Sequence, residues 1–406
     1  MTTELRRQTI GLREFIALMA MLSALDALSI DAMLPALQDI GREFAVPRAN
    51  DTQLVVSTVF LGFAIGQVLA GPLSDSFGRK TIAYAGLVIY LLGSLCAMLA
   101  WSFPMLLGAR ALQGAGASIP YVLCTAMIRD LYEGRAMARI MSFVLMIFIL
   151  VPMIAPAMGQ AVLFFSGWRA IFACYLALGA IALVWFAIRQ PETLAREDRH
   201  PFSVRRILAA TLEICSNRIA MSYILAQGFV TGAFIGYLAT AQQIFQVQYG
   251  LGAWFPAYFA TLAASLGFAS YLNGKLVMRF GMDFLSRIAL TLLIAVSAGY
   301  GVFAFLQNGH PPLWTLMFYL SITFSCVGVL FGNLSAAAME PLGHIAGIGA
   351  SVVGSLSMLI SLPLATLVGQ SYDGSISPLV LGFAILGLLA AMAAGWGEYR
   401  KRSEAR

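Results

Sequence analysis

Gly71-Pro72-Leu73-Ser74-Asp75-Ser76-Phe77-Gly78-Arg79-Lys80 is a short polar turn between two long apolar runs, at about 53–73 and 81–100. Its glycines let two helix ends approach closely, and its two cations end the apolar stretch abruptly. A helix needs about 20 apolar residues to cross the hydrocarbon of a bilayer, so such a turn between two such runs reads as the joint of a membrane hairpin. The pattern Gly-x-Leu-x-x-x-Phe-Gly returns as Gly274-x-Leu276-x-x-x-Phe280-Gly281, an offset of 203 residues in a chain of 406. A repeat at half the length predicts two similar halves.

Further runs lie outward from this turn. Those before the chain's middle are at about 14–37, 104–127, 140–163 and 168–189; those after it are at 219–245, 254–274, 284–306, 313–336, 345–369 and 378–397. Twelve spans predict an all-α polytopic membrane protein. The tight joins Ser166–Gly167 and Gly309-His310-Pro311-Pro312, and the break at Trp101-Ser102-Phe103-Pro104, separate neighbouring spans. Composition agrees: 60% of residues are hydrophobic and 11% charged, where a soluble domain carries about 25% charged residues. An ordinary soluble enzyme, a disordered chain and a nucleic-acid module are excluded.

The net charge of +6 is a topology signal. Arg6, Arg7 and Arg13 precede span one, and Arg79 and Lys80 follow span two. Arg129, Arg135 and Arg139 follow span four; Arg189, Arg196, Arg199, Arg205, Arg206 and Arg218 follow span six. Lys275, Arg279 and Arg287 follow span eight, and Arg400, Lys401, Arg402 and Arg406 close the chain. That places 21 of the 25 cations on one side, against Arg42, Arg48 and Arg169 on the other, with Arg110 inside a span. Both termini are expected in the cytoplasm. The first run is too long for a signal peptide and carries two aspartates. The five cysteines are scattered and predict neither disulfide nor metal site. Residues 190–217 form the one long polar segment between spans, so the expected organisation is a six-helix bundle over 1–189, a cytosolic linker over 190–217 and a second bundle over 218–406. Within the linker, Phe202 to Leu208 fits an amphipathic surface helix.

The Gly71–Lys80 turn resembles the G-x-L-x-D-x-x-G-R-K signature of the major facilitator superfamily, at the place where that family carries it. The resemblance implies a latch that holds the two halves in one conformation, formed by Gly71, Asp75, Gly78, Arg79 and Lys80. Asp75 is expected near a helix N-terminus, where the macrodipole favours an anion, with Arg79 and Lys80 anchoring the turn to the cytosolic side. Arg110, Gln113 and Gly114 in span four resemble the R-x-x-Q-G motif. Pro152, Pro156 and Gly159 in span five resemble the proline–glycine motif of the drug-antiporter branch, with Ala155 and Gln160 replacing its usual first glycine and last residue. The chain is similar over most of its length to the Bcr/CflA drug-resistance transporters: Leu28 to Leu37 with Asp31 on the family acid, Pro191-Glu192-Thr193-Leu194 at the linker start, Ala346 to Ser351, and Tyr372 to Ser375. Span seven lacks the Ser-Pro pair of that family, and Asp26 is an additional acid.

Asp26 and Asp31 are the acids well inside a span. An intramembrane carboxylate is a functional candidate by default, and Arg110 is its expected partner. Burial disfavours an ionised carboxylate and a guanidinium favours it, so a balanced site can load and release a proton. Five residues separate the two acids by about 140° on a helix, so they are not expected to face one cavity centre unless the helix unwinds. Asp31 takes the proton and cationic-substrate role, with Asp26 second. Tyr237, Gln242, Gln243 and Asn333 are candidates for the cavity wall, or for glue between helices. The expected activity is proton-driven efflux of small apolar or amphipathic compounds across a bacterial inner membrane by a monomer. No cofactor is expected, the proton gradient supplying the drive. A carrier of a physiological solute such as a sugar or organic acid stays open, whereas an intramembrane enzyme lacks a nucleophile–base pair.

Overall fold

The computed structural model describes residues 10–199 and 201–404. Arg6, Arg7 and Arg406 fall outside the described residues, as does the side chain of Arg135. In chain order the helices are α1 (Leu12–Asp31), the short α2 (Leu37–Glu43), α3 (Leu54–Phe77), α4 (Arg79–Met98), α5 (Phe103–Leu131), α6 (Gly134–Phe165) and α7 (Arg169–Arg189). They continue as α8 (Val204–Ser216), α9 (Arg218–Gln242), α10 (Phe255–Phe280), α11 (Met282–Leu306), α12 (Leu313–Met339), α13 (Ala346–Gln370) and α14 (Ser377–Glu404). No strand occurs among the described residues. Among the described residues twelve helices are long and apolar enough to cross a membrane, α1 counting together with α2.

The helices start and stop where local chemistry tells them to. Ser102 accepts from the Met105 N–H at 3.4 Å, with Pro104 in the first turn, so the nearly apolar break at 101–104 does begin a new helix. Asn217 caps α9 by accepting from Ile219 and Ala220 N–H at 3.1 and 2.9 Å. Gly78 and Gly281 both take positive φ, +96° and +80°, between α3 and α4 and between α10 and α11. The sequence repeat is therefore a repeat of backbone geometry, which a side chain at either position would strain. The repeat does not extend to charge: Met278 and Met282 stand where the first copy has Asp75 and Arg79.

The main departure from expectation is in the first span. It breaks after Asp31, passes through a 3₁₀ turn at Leu34–Ala36 containing Pro35, and resumes as α2. Proline has no N–H to give and cannot continue the ladder. Between residues 190 and 217, α8 is amphipathic as expected, with Ile207, Ala210 and Ile214 buried beside α9 and α13.

Helices α1 and α3–α7 pack among themselves, as do α9–α14. The two groups meet along two seams, α3 on α13 and α6 on α10. Ser355 Oγ donates to the Ala64 carbonyl at 2.7 Å across the first seam. At the end of the bundle remote from the Gly71–Lys80 turn, Gln53 donates to Gln243 at 2.5 Å, and Asn50 donates to the carbonyls of Gln370 and Tyr372 at 3.1 and 2.8 Å. The groups are thus bridged on both sides of the space between them.

Candidate functional site

Between the two helix groups lies a cavity of about 280 Å³. On the first group's side it is bordered by Asp26, Ile30 and Asp31 of α1, with Phe60, Tyr121, Phe148 and Pro152; on the other by Phe234, Phe259, Leu266, Phe324 and Phe331. Both aspartates therefore share one cavity while α1 stays regular as far as Asp31. This differs from the expectation drawn from their 140° separation. Ala27 and Ile30 lie between them on the wheel and also border the space, so the cavity sees a broad face of α1. Asp26 and Asp31 are 8% and 4% exposed, and Asp26 Oδ1 has no hydrogen-bond partner.

Arg110 is not their ion-pair partner, contrary to the expectation. The guanidinium is fully buried and donates to the Val55 carbonyl at 3.2 Å, the Ser29 carbonyl at 2.9 Å and Gln113 Oε1 at 2.6 Å. The physical reason lies in the break of α1. The Met33 N–H turns back to Ile30 O at 3.3 Å, which leaves the Ser29 carbonyl without its usual helical donor. Arg110 fills that vacancy, with the Tyr175 hydroxyl at 3.4 Å beside it, and Gln113 passes the network on to Ser94 at 2.9 Å. Gly114 has no room for a Cβ beside the Val59 carbonyl, so α5 and α3 touch backbone to backbone.

Pro152 borders the cavity and Pro156 lies one turn on within α6. A Cβ on Gly159 would collide with the Ala32 carbonyl, the residue directly after Asp31. The glycine thus seats α6 against the place where α1 breaks. Gly159→Ala should lower the unfolding temperature of the purified protein, at a cost of about 1–3 kcal/mol for overpacking. Gly299→Ala, with nothing within 4 Å, should leave it unchanged; equal behaviour of the two variants would show that the contact is unimportant.

Three of the four residues offered for the cavity wall lie elsewhere. Gln243 clasps Gln53 and Asn50 at the remote end. Gln242 donates to Gln246 at 3.1 Å beside the same clasp. Asn333 pairs reciprocally with Asn273 at 2.9 and 3.1 Å, joining α12 to α10. Each is an amide satisfied by another amide, the helix-glue alternative. Tyr237 is buried behind the cavity rings, edge-on to Phe324 at 4.7 Å, and its hydroxyl has no hydrogen-bond partner. The sequence offers the cavity's aromatic residues only as a class and singles none out, because 27 phenylalanines in apolar helices carry no positional signal.

At the Gly71–Lys80 turn, Arg79 is buried rather than anchored at a surface. It bonds Asp75, Ser74 Oγ at 2.6 Å and Asp130 Oδ2 at 3.0 Å. Lys80 Nζ reaches the Ala187 carbonyl at 3.1 Å. Asp75 sits in the last turn of α3, and the N-terminus of α4 is capped instead by Glu192 from the linker. That carboxylate accepts from the Arg79 and Lys80 N–H groups at 2.9 and 3.1 Å. Asp75 does share a crevice with Gly347 in the first turn of α13, and Gly71 lies so close to Ser351 that a Cβ would stand 2.7 Å from its hydroxyl.

Comparison with known proteins adds the following. Residues 16–363 match the profile of the Major Facilitator Superfamily. The chain is 31% identical over 382 residues to a Bacillus subtilis (strain 168) protein named uncharacterized MFS-type transporter YdgK, covering 92% of this chain and 93% of that one. It is 27% identical over 382 residues to the bicyclomycin resistance protein homolog of Haemophilus influenzae, covering 93% and 94%. Among solved structures, a D-xylose-proton symporter superposes with a TM-score of 0.72 over 95% of this chain and 97% of that one, at 16% identity, which speaks to the fold.

Proposed function

The chain belongs to the major facilitator superfamily and is a multi-pass membrane transporter, and on that premise we propose that it exports small, lipophilic, preferentially cationic compounds in exchange for protons. One observation carries this reading: two carboxylates face an aromatic-walled cavity, and the one guanidinium buried near them is committed to backbone carbonyls and Gln113. Rings attract a cation through their π faces, by about 0.5–2 kcal/mol each, and the acids supply the counter-charge. Tyr121 is the one polar side chain besides the acids among the residues bordering the cavity. A sugar would leave most of its hydroxyls unpaired there, whereas a flat apolar cation would not. The drug-resistance name of the Haemophilus influenzae relative points the same way.

In the proposed cycle, substrate reaches the cavity from the cytosol or the inner leaflet while Asp31 is ionised. A proton from outside displaces it, and loss of the buried charge permits the return swing. One monovalent cation exchanged for one proton moves no net charge, so the pH gradient drives it; membrane potential adds about 2.3 kcal/mol per 100 mV only for each net charge moved. The membrane in this reading is a bacterial inner membrane, and the excess of cations on one side supports both termini lying on its cytoplasmic face. The turn at Gly71–Lys80 closes the cytoplasmic end, the protein works as a monomer, and it needs no cofactor.

The test is an inside-out vesicle carrying an acid-inside pH gradient and a lumenal pH dye. Adding a fluorescent lipophilic cation should discharge part of the gradient as the cation accumulates. Accumulation with no proton movement would overturn the coupling. Protons moving in the same direction as an added sugar or organic acid would make the chain a solute carrier instead.

A further inference from the structure

The α3–α13 seam is held by Gly71 against Ser351 near the Gly71–Lys80 end, and by the Ser355 hydrogen bond to Ala64 farther along. The second seam is that of α6 and α10. These helices run antiparallel and touch where a Cβ on Gly267 would collide with Ile149. Counting toward the turn end at about 1.5 Å per residue, Arg139 lies about 15 Å from Ile149, while Lys275 and Arg279 lie about 12 and 18 Å from Gly267. The three cations are thus level with one another across the seam.

They also turn to the same side of it. At about 100° per residue, Arg139 is rotated about 80° from Ile149, and Lys275 and Arg279 about 80° and 120° from Gly267. In an antiparallel pair, equal rotations seen along each helix's own direction point the same way. Phe148 and Pro152 on α6, and Phe259 and Leu266 on α10, border the cavity, and their rotations have the opposite sign. The cations therefore face away from the cavity, toward lipid. They extend exposed apolar rows, Phe143, Met146 and Leu150 on α6 and Phe268 and Leu272 on α10.

Each cation lies against a ring of its own helix: Arg139 at 5.8 Å from Phe143, Lys275 at 4.6 Å from Tyr271 and Arg279 at 5.2 Å from Phe280. None forms an ion pair with a carboxylate among the described residues. At the same end Arg79, Arg189, Arg287 and Lys401 form ion pairs, so it is the shared level and side of the three, more than the lack of a carboxylate, that distinguishes them. Cations that served topology alone would need neither a common level nor a common side.

We infer that the outer face of the α6–α10 seam binds the phosphate headgroup of an anionic phospholipid, which bridges the two helix groups where like charges would otherwise repel. The acyl chains would lie along the apolar rows beneath it.

Native mass spectrometry of the full-length protein in detergent tests this with added phosphatidylglycerol or phosphatidylcholine. Wild type should retain phosphatidylglycerol in preference to phosphatidylcholine. The variant R139Q/K275Q/R279Q should bind it on the order of 100-fold more weakly, at about 1 kcal/mol per cation. R205Q/R206Q, which removes charge from α8, should bind normally. No preference in wild type, full retention by the triple variant, or equal loss in the α8 variant would each overturn the site. Displacement by excess glycerol phosphate would show a soluble-phosphate site and overturn the lipid assignment.

Discussion

Asp31→Asn should abolish pH-gradient-driven accumulation in inside-out vesicles while leaving a folded, monodisperse protein. Asparagine keeps the shape of the protonated acid but can neither release a proton nor offer a negative charge. The drive is therefore lost altogether, whatever remains of downhill leak. Affinity for a lipophilic cation should fall by about 10- to 100-fold, the equivalent of one charge-assisted contact of about 1.5–3 kcal/mol. Stability should move little or rise, because an amide is less costly to bury than an unpaired carboxylate. The site explains why this acid, more than Asp26, would report to the rest of the molecule. Asp31 is the last residue of α1, next to the 3₁₀ turn with Pro35, and Ala32 just beyond it is pressed by Gly159 of α6. A change of charge there acts at a joint between two helices rather than inside a rigid one. Asp26 lies in the unbroken part of α1, so Asp26→Asn should weaken cation binding and retain coupling. If Asp31→Asn still accumulated substrate at the wild-type rate, the coupling role would pass to Asp26 or the antiport reading would fail.

The fold was legible because lipid imposes it. Twelve apolar runs, a one-sided cation excess and the recurrence of Gly71–Gly78 as Gly274–Gly281 are properties of the chain as a string, and each has one geometric consequence. The broken first span was not legible as such, although Pro35 marked the place. A proline in an apolar run is compatible with a kink, a break or a first turn until its neighbours are known. The site was half legible. Asp26 and Asp31 could be singled out because a carboxylate in a span is rare. Arg110 could be found by the same logic, but its partner could not. One of its three acceptors is the Ser29 carbonyl, which loses its usual helical donor through the α1 break. Gln243 and Asn333 were reasonable candidates by residue type. They went to the Gln53–Asn50 clasp and the Asn273 pair because amides satisfy one another across helices as readily as they line a cavity.

Arg110 should prove to be the residue whose loss most damages folding rather than coupling. Arg110→Ala removes three donated hydrogen bonds from a fully buried site: Gln113 Oε1 loses its donor, Ser29 O keeps only the Tyr175 hydroxyl at 3.4 Å, and Val55 O keeps only its place in the α3 ladder. It also opens a cavity beside the Phe172 ring, 5.7 Å from the guanidinium. At about 1.5–3 kcal/mol for each of three hydrogen bonds donated by a charged group, the loss reaches into the range of the whole stability of many proteins, about 5–15 kcal/mol. The variant should appear in the membrane at low abundance and aggregate on extraction. Arg110→Lys keeps the charge but has no planar fork to reach carbonyls on α1 and α3 together with Gln113. It should fold with a clearly lowered unfolding temperature, whereas Gln113→Glu, which keeps an acceptor for the guanidinium, should be the milder change. The decisive measurement is the double variant Asp31→Asn with Arg110→Lys. If the arginine is a bolt between α1, α3 and α5 that makes no pair with the acid, the two effects on unfolding should add to within about 0.5 kcal/mol. If instead neutralising Asp31 rescued the lysine variant, or worsened it by more than that margin, the two charges would be energetically one unit. The ion pair absent from this arrangement of the helices would then have to form in another state of the cycle.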